Sequence, residues 1–209
     1  MDKSIDESWV ERHLRLLADN IKAGRAHTHV LFEPDDRFYA LFRQGDEGDL
    51  NHAVRLLCRH VGQNRSPAAC YEWDLRIPQN AAGTITHTTL GDLIRVPVSL
   101  AGRPDAIGAT LAHEVSHAVL FDFDMGPIPE SEHEPFTDLA AVFLGFGKLL
   151  LNGIQMAVSP TTGLGVSLGY LSPGMIAHAY REVIRMYMIS DEIARAGLND
   201  AGLLLLDLN

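Results

Sequence analysis

The stretch Leu111-Ala112-His113-Glu114-Val115-Ser116-His117-Ala118 sets two histidines four residues apart, with a glutamate directly after the first. An α-helix turns about 100° per residue, so His113 and His117 leave one face roughly 40° apart and are able to grip a single metal ion. Glu114 is too close in sequence to share that ion, yet well placed to take a proton from a water beside it. The rest of the segment divides the same way. Gly108, Leu111, Ala112, Val115, Ala118 and Val119 fall within about 60° of the side opposite the histidines, which gives one face for a core and one for a cleft. A pair of plain core or surface histidines would not need that division.

Two histidines leave zinc short of its usual three protein ligands plus water. Glu134 supplies a third. In Glu134-Pro135-Phe136-Thr137-Asp138-Leu139-Ala140-Ala141 two carboxylates lie four apart on one helical face, and Pro135 is tolerated in the first turn. Glu134 binds the ion in this reading, while Asp138 accepts the other ring N–H of a ligand histidine and fixes its tautomer. The small Ala141 and Gly145 lie on the Glu134 side, which predicts close approach of this helix to the His113 helix. The bland alternative is a solvated acidic run, Glu130, Glu132, Glu134 and Asp138, at a helix N-terminus that favours negative charge.

HExxH followed by a Glu-x-x-x-Asp helix resembles the gluzincins, the thermolysin-like and aminopeptidase-like zinc peptidases of the zincin class. The resemblance covers residues 94 to 145. Carried over by position it implies one Zn2+ on His113, His117 and Glu134, Glu114 as general base, and Asp138 supporting the first histidine from behind. A metzincin would need a glycine and a third ligand where Leu120 and Phe123 stand. An aspzincin would take Asp138 as third ligand and leave Glu134 without a role.

A chain of 209 residues with 46% hydrophobic side chains is long enough for a sizeable core, so we expect a single domain over 1–209, with a mainly helical N-terminal lobe (1–65) and a zincin-like metal-binding core (66–209). A net charge of −10 without clustered Lys and Arg argues against a nucleic-acid or anionic-membrane partner. Two cysteines, Cys58 and Cys70, are too few for a disulfide framework and read as reduced thiols; with no apolar N-terminal signal they suggest a cytoplasmic protein. Leu139 to Val158 is apolar enough to imitate a membrane span. Gly145, Gly147 and Gly153 interrupt it and no basic flanks mark an orientation, so it reads as a buried helix.

Along the chain, helices are expected at Ser8–Ala23 and Asp49–His60, with Phe38–Phe42 open between helix and loop. Thr28–Phe32 reads as a short strand. Ala69–Ile77 alternates like a strand, with Tyr71, Trp73, Leu75 and Ile77 on one side, and Leu93–Val98 is another. Strands followed by an HExxH helix resemble the zincin architecture, which implies a sheet edge beside the metal that binds an extended peptide; Pro97 suits an edge rather than a central position, so Leu93–Val98 is the strand expected there. Ser159–Gly169 reads as a loop, followed by a helix capped by Ser172 and started by Pro173. That helix carries His178, Arg181, Glu182 and Arg185 on a narrow polar face. His178 is a candidate stabiliser of an oxyanion, with Tyr170 and Tyr180 as competitors.

These readings predict an α+β, zincin-like fold: a small, mostly antiparallel or mixed sheet packed on the HExxH helix, with a mainly helical C-terminal part. The function expected is a zinc-dependent hydrolase, a peptidase acting on peptides or proteins. The alternative is a non-catalytic zinc-binding or interaction protein that keeps the fold.

Overall fold

Three strands form one mixed sheet in a computed structural model of the chain that describes residues 5–24, 31–76, 82–89, 91–154 and 170–207. β1 (Ala68–Glu72) runs parallel to β3 (Gly91–Pro97), and β2 (Thr84–Thr88) runs antiparallel to it, with Ile85 opposite Ile94. β3 is therefore the central strand, with Ile94 and Val96 fully buried. This corrects the expectation that Leu93–Val98 is the edge. Pro97 is accommodated because it is the last residue of β3, where its missing N–H interrupts no further ladder. β1 also ends earlier than its alternation suggests. The chain leaves the sheet at Trp73, which is 68% exposed, and makes a short 3₁₀ turn at Asp74–Arg76, whose Asp74 carboxylate accepts the N–H of Ser99.

The two outer strands differ. Asn51 on α3 (Glu47–His60) donates to the carbonyl of Ala69 at 2.7 Å and accepts its N–H at 2.9 Å, so part of the outer side of β1 is already satisfied. β2 is the open edge among the described residues.

The helices begin where side chains cap them. Asp46 accepts the N–H of Asp49 at the start of α3, Asp35 that of Phe38 at α2 (Asp36–Ala40), and Asp6 that of Trp9 at α1 (Glu7–Gly24). α3 covers β1, and α4 (Pro104–Phe121), the HExxH helix, lies against β3 and β2. α1 buries Trp9, Leu14, Leu17 and Ile21 against α5 (His133–Ala141) and α7 (Pro173–Met186). One apolar core runs from Trp9 and Val10 through Val115 to Val183, so residues 1–65 and 66–209 share it. Of the expected Thr28–Phe32 strand only Leu31 and Phe32 are described, and both are irregular; Ile77 and Ser159–Gly169 lie outside the described residues.

The apolar run after α5 is not one straight helix. Val142–Phe146 is a π-helical turn in which Gly145 takes φ 94°, a value that favours glycine, and the carbonyl of Gly145 accepts the N–H of Phe32 at 2.9 Å. α6 (Gly147–Ile154) then packs on α4. α5 packs on α4 as expected, and α6 comes closer still through its glycines. A Cβ at Gly153 would lie 2.5 Å from the Cβ of Ala109, and one at Gly108 would lie 3.2 Å from Leu149. Residues 130–154 are long and apolar enough to cross a membrane, but 94% of their apolar window is buried inside the protein.

The C-terminal helices α8 (Asp191–Arg195) and α9 (Asp200–Asp207) close the outer side. Two buried side chains meet the last carbonyls of α8. Lys148 donates to Ile193 at 2.6 Å and Tyr180 to Ala194 at 2.7 Å.

Candidate metal centre

α4 enters the core with Pro104 in its first turn, and its apolar back, Leu111, Ala112, Val115 and Val119, is buried. His113 and His117 are thereby turned toward α5, whose first turn carries Glu134. The three side chains converge. His113 Nε2 lies 3.1 Å from Glu134 Oε2, His117 Nε2 lies 3.2 Å from the same oxygen, and the two Nε2 atoms are 3.1 Å apart. A tetrahedral ion with bonds of about 2.0–2.1 Å spaces its ligands roughly 3.3–3.4 Å apart, close to this triangle. Two imidazole nitrogens and a carboxylate aimed at one point need positive charge among them, either a metal ion or protons. Two nitrogens and one oxygen are also a donor set that zinc accepts. Among the described residues this is the one group of three with metal-ligating geometry.

Each histidine is fixed from behind. His113 Nδ1–H donates to Asp138 Oδ1 at 2.8 Å, which leaves Nε2 as the ligand atom. Asp138 is fully buried, so the solvated acidic run is excluded for this residue. Its position behind His113 also assigns the third-ligand place to Glu134, as in a gluzincin. The other oxygen, Oδ2, accepts the backbone N–H of Tyr170 at 2.6 Å and of Leu171 at 2.8 Å. His117 has its own support: Thr137 donates to the carbonyl of His133 at 3.0 Å and is free to accept His117 Nδ1–H at 3.3 Å. Thr137 was not among the residues picked from the sequence. Its position between Glu134 and Asp138, at i+3 from the ligand, was the available signal.

The charges fit this arrangement. Burial works against a positive His113, but the Asp138 and Glu134 carboxylates carry it up to about 10. Hydrogen bonds from His113 and His117 hold Glu134 well below the usual carboxylate range. Glu114 is buried beside them, and burial pushes its carboxyl up, against the lowering effect of the two histidines. It has no hydrogen-bond partner among the described residues, so its oxygens are uncommitted.

The entry to β2 passes directly over this carboxylate. A Cβ at Gly83 would stand 3.1 Å from Glu114 Oε1 and 2.5 Å from Thr110 Cγ2, so only glycine lets the strand come this near. Tyr170 lies on the other side, its ring 5.7 Å from that of His113 at 30°, and burial with the nearby Glu134, Glu114 and Asp138 carboxylates raises its phenol to about 12.

His178 is placed elsewhere. It sits on α7 facing α1, with Nδ1 3.8 Å from Glu7 Oε1, and none of its described contacts reaches the three ligand residues. Tyr180 is spent on Ala194. A large cleft of about 1220 Å³ opens at the far end of α4, between Arg59, Asp92 and Phe121, and none of the three ligand residues lines it.

The cluster, with its HExxH spacing and its downstream glutamate on a second helix, matches a gluzincin-type zincin signature, and the mixed sheet on α4 with a largely helical C-terminal region is a zincin-like α+β fold. No family model, no curated protein and no solved structure matches the chain.

Proposed function

We propose that the protein is a zinc-dependent hydrolase that cleaves peptide bonds. The observation that carries this reading is the convergence of His113 Nε2, His117 Nε2 and Glu134 Oε2 beside a buried, uncommitted Glu114 carboxylate.

Zinc, when bound, polarises a scissile carbonyl and lowers the pKa of water toward about 7. Glu114 takes the proton of the attacking water on its carboxylate and later delivers it to the leaving amine. Its raised pKa brings it nearer to neutrality, where a group that both accepts and returns a proton works best. Asp138 and Thr137 hold the two imidazoles as Nδ1–H tautomers with Nε2 turned inward. We assign the oxyanion-stabilising O–H to Tyr170 rather than to His178, because Tyr170 stacks beside His113 and keeps its proton at neutral pH.

The substrate class follows from β2. An open strand edge offers main-chain hydrogen bonds to an extended peptide of any sequence, and Gly83 brings that edge to the general base.

Glu114→Gln tests the assignment. The variant is expected to bind one zinc per chain and to lose cleavage of a peptide library, while cleavage at the parental rate would remove Glu114 as the base. One zinc per chain with no turnover by the parent protein would favour a binding protein on the same fold.

A further inference from the structure

Glu134 is the ligand with the least support of its own. Its side chain is 40% exposed and, among the described residues, meets only the two histidine rings. Its place therefore depends on its neighbours in the chain, and α1 touches the side chains of two of them. Trp9 Nε1–H donates to Glu132 Oε2 at 2.6 Å, two residues before the ligand. One turn along α1, His13 meets the ring of Phe136, two residues after it, edge-on at 5.7 Å. His13 is itself held, donating from Nδ1 to the carbonyl of Trp9 at 2.8 Å and lying 4.1 Å from the indole. Trp9 and Phe136 are each 2% exposed. His13 Nε2 also lies 3.9 Å from Glu132 Oε2, so two side chains one turn apart on α1 hold Glu132, and one of them also meets Phe136, across more than a hundred residues of sequence.

We propose that the Trp9–His13 pair is a clamp that positions Glu134, so that the N-terminal helix sets the metal affinity of a site to which it contributes no ligand. The proposal rests on the metal reading above. Asp6 caps α1 and apolar neighbours bury Trp9, so the indole N–H needs an acceptor, and the acceptor it takes is the Glu132 carboxylate in the turn that leads into Glu134.

The test measures zinc affinity of the full chain by competition with a chromophoric chelator, alongside the melting temperature of the metal-free form. Trp9→Phe and Glu132→Ala are each expected to weaken zinc about tenfold or more, the range found for groups that orient ligands. Glu132→Gln keeps an oxygen to accept the indole N–H and should stay within about twofold of the parent, a rescue that loss of general stability would not produce. If Trp9→Phe fails to fold, Glu132→Ala still decides, since it leaves the indole in the core. Parental affinity in Glu132→Ala, or equal losses in the Ala and Gln variants, would overturn the clamp alone. A parent chain that takes up no zinc would overturn the metal reading together with it.

Discussion

Asp138 reaches His113 with one carboxylate oxygen, 2.8 Å from Nδ1, and holds the N–H groups of Tyr170 and Leu171 with the other. One buried side chain thus fixes both a candidate metal ligand and the residue we assign to oxyanion stabilisation. Asp138→Ala should therefore weaken zinc about 10–100-fold. It should also destabilise the metal-free protein, since the buried N–H of Leu171 loses its acceptor at a cost of about 1–3 kcal/mol. Chelator competition and denaturant unfolding measure the two losses separately, and an unchanged unfolding midpoint would remove the structural half of this role.

Tyr170→Phe isolates the phenol. Its ring keeps the contact with His113, so zinc affinity should be unchanged while kcat falls about 10²–10³-fold, the range for one oxyanion donor. His178→Ala should leave kcat near the parental value. The reverse pattern would return the donor role to His178.

Gly83→Ala should push the start of β2 away from α4, because the added carbon would overlap Thr110 and crowd Glu114. Overpacking of this kind costs about 1–3 kcal/mol. The expected signature is a lower melting temperature and a reduced kcat/KM with zinc still bound. Unaltered kinetics would mean that β2 does not guide the substrate.

Lys148 gives a pH dependence. Its ammonium is buried, 2.6 Å from the carbonyl of Ile193 and 3.8 Å from Glu33, and burial lowers its pKa below the value of about 10.5 that it has when unfolded. Between the two values the unfolded chain binds more protons than the folded one, so this group adds stability as pH rises through its folded pKa toward about 10.5. Lys148→Met should abolish that alkaline gain. Melting curves of both proteins from neutral to alkaline pH test this, and parallel curves would refute it.

Much of the metal centre was legible because it is local. HExxH and the Glu134–Asp138 pair are i, i+4 relations, and a helix converts such spacing into a shared face without help from the rest of the fold. The capping of α7 by Ser172 was readable for the same reason. What escaped depends on contacts distant in sequence. The open edge strand, Thr-Ile-Thr-His-Thr, carries β-branched residues that suit a strand, but only its pairing with β3 shows that it is the edge. Pro97 pointed to the wrong edge because the sequence does not reveal that β3 ends there. The run from Leu139 shows its glycines in the sequence, but not that Gly145 takes a positive φ and that its carbonyl accepts the N–H of Phe32, far earlier in the chain. Tyr170 lies beside His113 because Asp138 holds its N–H, and His178 faces Glu7 on α1; neither contact is visible in the sequence.

Asn51 matters beyond the strand it touches. A sheet with two receptive sides invites endless addition of further copies, the route to fibres. Here one side is partly closed by Asn51, so growth is directed to β2 alone. Two molecules joined there would present only their blunted sides, and the assembly would end at a pair. On the peptidase reading proposed above, the edge that would take a peptide is also the one through which a second copy would pair, so the two would compete for it.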